Sequence, residues 1–171
     1  MSEKNACYTN VKLRLKLFGM FVVIVFIYHF NISVVRGRSM SPTVQDGDRI
    51  LINRLSYFFY EIERGDIIVF KYPLDKNVKY IKRVIGVPGD TVVLNEGEVW
   101  INGEKLNEAY LDAPDLTDHS MAIVKPAHYF VLGDFRKKSS DSRGFGQVPQ
   151  EYIGGKVNVI VWPPMHFRMI N

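Results

Sequence analysis

Nineteen consecutive residues, from Leu17 to Val35, carry no Asp, Glu, Lys or Arg. A helix rises about 1.5 Å per residue, so such a run reaches roughly 30 Å, the thickness of one hydrocarbon core. Its centre, Phe21-Val22-Val23-Ile24-Val25-Phe26-Ile27, is continuously apolar. His29, Asn31 and Ser33 weaken only the last third, where polar groups meet the membrane interface at little cost. A cleaved signal peptide has the same basic start and apolar stretch. The exit Ile32-Ser33-Val34-Val35-Arg36, however, lacks the pair of small residues that a cleavage site needs. A buried core helix is the remaining competitor, and a long uncharged run behind a basic flank favours a span over it. The sequence therefore predicts one transmembrane helix over residues 17–35.

The charge distribution orients that span. Residues 1–17 hold Lys4, Lys12, Arg14 and Lys16 against Glu3, whereas residues 36–171 hold 18 Lys/Arg against 17 Asp/Glu. The positive-inside rule puts a tail of residues 1–16 in the cytoplasm and a single domain of residues 36–171 outside. Nucleic-acid binding needs a basic face on the folded body, and the near-neutral totals speak against one. Cys7 is the single cysteine, so no intrachain disulfide can form and an external domain must be held by its core. Its position near the span leaves Cys7 as either an ordinary thiol or a lipidation site.

Beyond residue 44 the pattern is that of short strands. Candidates are 49–53, 66–70, 80–86, 91–94, 98–101, 129–132 and 156–162. Asn95-Glu96-Gly97 reads as a hairpin loop and Asn102-Gly103 as a type I′ turn. Residues 104–127 are more polar, contain Pro114 and Pro126, and read as a loop-rich excursion. The fold expected is mainly β: a compact, largely antiparallel domain behind one N-terminal helix.

Such a domain could be a binding module or an enzyme, and three segments favour an enzyme. Ser39-Met40-Ser41-Pro42-Thr43 lies just beyond the apolar run, and Pro42 restricts Ser41 to extended conformations, which can hold a hydroxyl in a fixed direction. Lys82 interrupts the apolar residues Tyr80-Ile81 and Val84-Ile85, beside Arg83. Strand alternation sends Lys82 to one face and Ile81 and Arg83 to the other. To act as a base near neutral pH, an amine must titrate roughly three units below its usual value near 10.4, at a cost of about 4 kcal/mol that burial can supply. Gly133-Asp134 and Ser139-Ser140-Asp141-Ser142-Arg143 form a loop dense in hydroxyls and charges directly after the strand at 129–132. The four histidines show no metal-site spacing, and neither a phosphate-binding glycine loop nor a local Ser-His-Asp motif is present. No metal and no cofactor are expected.

Together these segments resemble the type I signal peptidase family, in order and from the apolar run almost to the C-terminus. Residues 39–43 resemble its nucleophile box, Gly65-Asp66-Ile67-Ile68-Val69-Phe70 a structural box, residues 80–90 its base box, and Gly133-Asp134 with residues 139–143 its last box. Lysine rather than histidine at position 82 fits the bacterial-type or mitochondrial-type branch, and the single span fits the Gram-positive form. The resemblance implies a membrane-bound Ser/Lys peptidase that removes signal peptides after small residues from exported preproteins, linked functionally to the secretion translocon. It implies Ser39 as nucleophile and Lys82 as base, Ser139 as the hydroxyl orienting that lysine, and Asp141 and Arg143 as a supporting ion pair. The Ser39 N–H would face the oxyanion; where relatives add a serine hydroxyl this chain has Gly37, so help there must come from backbone. Val35, Met40, Tyr80 and Ile81 match positions lining pockets for small side chains. Phe135 departs from the family, which has Asn after Gly-Asp. A catalytically silent assembly factor for surface proteins such as pilins is the alternative; the presence of both Ser39 and Lys82 weighs against it. A self-cleaving repressor with a Ser/Lys dyad would need a DNA-binding domain that 16 residues cannot form.

Overall fold

The structure is a computed structural model that describes residues 2–113, 115–116 and 119–170, with side chains throughout except at 2–11 and 25–27. Helix α1 (Ser2–His29) leads into strand β1 (Phe30–Val34). Then come β2 (Arg49–Asn53), the single turn α2 (Ser56–Phe59), β3 (Ile67–Tyr72) and β4 (Asp75–Gly86). A smaller group follows: β5 (Thr91–Asn95), β6 (Glu98–Ile101), β7 (Glu104–Lys105) and β8 (His119–Ile123). The chain returns through β9 (His128–Leu132), α3 (Ser142–Phe145), β10 (Val148–Pro149), β11 (Ile153–Trp162) and β12 (Arg168–Met169).

The strands form two antiparallel sheets. The larger runs β1-β2-β11-β3-β4-β9-β10, with β12 beside β11; the smaller runs β7-β6-β5-β8. Most of this follows from local chemistry. Alternation in β2 buries Ile50 and Ile52, and alternation in β5 buries Val92 and Leu94. The turn between β5 and β6 places Glu96 and Gly97 at φ 48° and 82°, and Asn102-Gly103 at φ 54° and 86° joins β6 to β7, the positive dihedrals a type I′ turn requires. Three buried clusters result. One lies under β2, β3 and β11, one between the small sheet and the β4–β9 pair, and one packs Ile68, Phe70, Val84 and Val131 with Ile62 and Val148.

The expected helix over 17–35 needs correction at its end. It stops at His29, and Phe30–Val34 pairs with β2 from Phe30↔Asn53 to Val34↔Arg49. These five residues alternate between apolar and polar, and the open edge of β2 offers partners for their backbone groups. Among the described residues no helix is long and apolar enough to cross a membrane. The excursion at 104–127 also holds more structure than expected, since β8 pairs with β5 along its full length.

Candidate active site

Ser39 sits in a tight turn anchored from below. The N–H of Val35 donates to Asp48 O at 2.8 Å and that of Gly47 to Val35 O at 3.0 Å, which closes the loop between β1 and β2. Within it, Val44 N–H donates to Met40 O at 2.8 Å, and the side chains of Met40 and Val44 are buried in the core cluster under β2. Met40 therefore faces inward at 1% exposure, whereas the sequence placed it among pocket-lining residues; it is absent from the lining of the cleft beside Ser39. With an apolar side chain at each end of one turn, the core takes both and leaves the serine between them and the surface.

Lys82 comes from the middle of β4, where β3 pairs on one side and β9 on the other. Its Nζ donates to Ser39 Oγ at 2.7 Å and to Ile81 O at 2.9 Å, and lies 5.2 Å from the centre of the Tyr80 ring. Burial pushes the amine down to about 8, against the opposing pull of the Asp141 and Asp134 carboxylates. A cleft of about 570 Å³ opens beside the pair. Val35, Tyr80 and Ile81, three of the four residues matched to pocket positions, line it, together with Gly37, Val34, Ile50, Val69 and Val78.

Arg83, the next residue, has a wholly different set of partners. It donates to Asp134 through Nε at 3.0 Å and a terminal nitrogen at 2.8 Å, bonds Gly65 O at 3.0 Å, and stacks on Tyr110 at 3.9 Å. Thr43, in the nucleophile turn, donates its hydroxyl to the same Asp134. Arg83 and Asp134 thereby tie β4, the turn and the 133–143 loop together in the interior. Sequence reading passed over Arg83, Thr43 and Tyr110. The available signal was a second cation inside an apolar strand, which must be paired if it is buried.

The loop from Gly133 is fixed by Asp141, which accepts from Gly133 N–H at 3.0 Å and from Arg143 Nε at 2.8 Å while capping α3. Arg143 also bonds Arg136 O at 2.6 Å, and Arg136 pairs with Glu108 from the excursion. A Cβ on Gly133 would fall 2.5 Å from Ser39 O and 2.1 Å from Ser139 Oγ, so only glycine permits this approach to Ser39. Phe135, the departure from the family pattern, has φ −89° and donates its N–H to Ser39 O at 3.0 Å; no left-handed residue is needed there.

Two expected roles are not realised in this geometry. Among the described residues Ser139 Oγ is buried without a hydrogen-bond partner, packed against Gly133, and makes no bond to Lys82. Gly37 N–H is taken up by Asp46 Oδ1 at 2.7 Å, so it is not available to an oxyanion. Gly37 has φ 97°, and this conformation turns its amide onto the nearby carboxylate.

The sequence profile described as "Signal peptidase, peptidase S26" matches residues 9–162. This chain belongs to that family. It is 36% identical over 169 residues to signal peptidase IB of Staphylococcus aureus, covering 86% of this chain and 87% of the relative. It is 43% identical over 131 residues to a probable signal peptidase I-2 of Synechocystis, covering 73% of this chain and 60% of that protein. A crystal structure of a signal peptidase I from Enterococcus faecalis V583 is 34% identical and matches with a TM-score of 0.52, over 57% of this chain and 97% of that one. The family match takes in the turn of Ser39, the strand of Lys82 and the 133–143 loop alike.

Proposed function

We propose that this chain is a serine endopeptidase that removes signal peptides from exported preproteins, with Ser39 as nucleophile and Lys82 as general base. One observation carries the reading: a buried primary amine, titrating near 8, lies 2.7 Å from a hydroxyl at the wall of an open cleft. In its neutral form Lys82 accepts the Ser39 proton while Oγ attacks the scissile carbonyl, and the resulting ammonium protonates the leaving amine. Water then hydrolyses the acyl-enzyme by the same route. The Ser39 N–H enters no hydrogen bond among the described residues and is the donor for the oxyanion. An extended peptide fits along β1 and β4, whose residues form the cleft walls, and the valines and Ile81 suit small side chains.

Helix α1 anchors the enzyme in this reading. Its residues Leu17, Phe18, Met20, Phe21, Val22, Val23 and Ile24 are all at least 48% exposed, an apolar surface that lipid would cover. The basic residues before it keep the N-terminus in the cytoplasm and the catalytic domain outside. Few residues separate α1 from Ser39, so the nucleophile works beside the headgroups where signal peptides present their cleavage sites.

The test is cleavage of a detergent-solubilised preprotein by wild type, Ser39→Ala and Lys82→Ala. Both variants should fold as the wild type does and lose activity by about 10³-fold or more. Cleavage by Ser39→Ala at the wild-type rate overturns the assignment.

A further inference from the structure

The cleft walls are far more one-sided in charge than the body that forms them. Residues 36–171 are almost neutral, with 18 cations against 17 acids, yet the cleft is lined by Arg36, Arg38, Lys79, Lys82 and Lys138 and by no Asp or Glu. Lys82 is committed to Ser39. The other four are exposed, and among the described residues none of them takes part in an ion pair. Other cations of the body are paired, as at Arg64–Asp90, Arg143–Asp141 and Lys156–Asp66, and some, such as Arg54 and Lys71, are not among the described residues; the cleft differs in gathering five cations in one lining that holds no carboxylate. Asp46, bonded to the Gly37 N–H between Arg36 and Arg38, offsets part of this charge, but four exposed cations against one nearby carboxylate leave the concavity with a positive potential that its low-dielectric walls concentrate.

We propose that Arg36, Arg38, Lys79 and Lys138 form a cationic rim that makes the cleft prefer polypeptides with Asp or Glu close to the bond presented to Ser39. The inference rests on the peptidase reading above and adds a substrate preference to it. The apolar walls accommodate small side chains beside the nucleophile, and the rim acts on residues further out along the extended peptide. Anionic headgroups also attract cations, but these four residues converge on a concavity together with Ser39 and Lys82, where an extended peptide would lie. Because the contacts are solvent-exposed, their effect is on encounter and binding and is screened by salt.

The experiment uses the full chain in an uncharged detergent, with preprotein substrates that differ only by Glu, Gln or Lys at successive positions on either side of the cleaved bond. At low salt, kcat/KM for the Glu substrate should exceed that for Gln by about three- to tenfold at the best position, and Lys should fall below Gln, with the difference carried mainly by KM. The Glu/Gln ratio should move towards one in Lys79→Gln/Lys138→Gln, and also in wild type at about 0.5 M salt. Equal cleavage of the three substrates overturns the preference and leaves the peptidase reading intact. The same result with loss of binding to phosphatidylglycerol vesicles in the double variant would overturn it in favour of lipid. Failure of the wild type to cut any of these substrates defeats the peptidase reading and this inference together.

Discussion

Two cations lie one residue apart on β4 in opposite electrostatic circumstances. Around Lys82 the partners are a hydroxyl, a carbonyl and an aromatic ring, with no carboxylate in hydrogen-bond contact, and burial drives the amine towards its neutral form. Around Arg83 a bidentate carboxylate, a carbonyl and an aromatic face surround a guanidinium that stays charged. Burial on the same strand thus has two outcomes. Where desolvation outweighs the nearby carboxylates it favours the neutral amine that the proposed base needs, and where a direct ion pair compensates it, it produces a fastener. The fastener also holds the turn of Ser39 in place, because Asp134 accepts from Thr43 in that turn.

The largest effect should come from making position 82 resemble position 83. Lys82→Arg keeps the charge but supplies a group that does not deprotonate at working pH, and activity should fall by about 10³-fold or more in a preprotein cleavage assay. Wild-type kcat/KM should rise with pH through about 8 as the amine becomes neutral and then level off. A flat profile across that range would separate the base from Lys82.

Removing the compensation at Arg83 comes next. Arg83→Met leaves the Asp134 carboxylate buried without its cation, and the chain should lose about 3–5 kcal/mol in urea denaturation. Lys82→Met should do the opposite by a smaller amount. The amine falls from 10.5 to about 8 on folding, and each unit is worth about 1.4 kcal/mol, so its removal should stabilise the chain by about 3 kcal/mol at pH 7. The sign follows from proton counts. Below pH 8 both states hold the proton and the burial cost is full. Between 8 and 10.5 only the unfolded state keeps it, so the cost fades, and above 10.5 the stabilisation by Lys82→Met should be gone. A stabilisation that persists unchanged at high pH would place its origin in packing rather than in charge.

The two circumstances were unequally legible in sequence. Lys82 and Ser39 could be singled out because each belongs to a short segment whose pattern is complete in itself. Arg83 looked like a neighbouring cation because its partners, Asp134, Thr43 and Tyr110, lie far away along the chain. The surroundings of Met40 and Gly37 were hidden for the same reason. Whether a side chain next to the nucleophile faces cleft or core, and whether an amide is free, depends on what lies behind the turn. Ser139 lies against Gly133 beside Ser39, with its hydroxyl out of hydrogen-bond contact with the amine. β8 escaped notice because most of its side chains are exposed, which leaves little apolar alternation to read.

The chain's own sequence determined the strands and hairpins, because alternation and Asn-Gly or Glu-Gly turns act over a few residues, and it determined the family. It could not determine where α1 gives way to β1, since the apolar run continues through both and only pairing with β2 ends the helix at His29. Nor could it set the fate of the adjacent cations Lys82 and Arg83. Desolvation and its compensation depend on which atoms are brought close, and tertiary packing alone brings residues 39, 43, 82, 83 and 134 together.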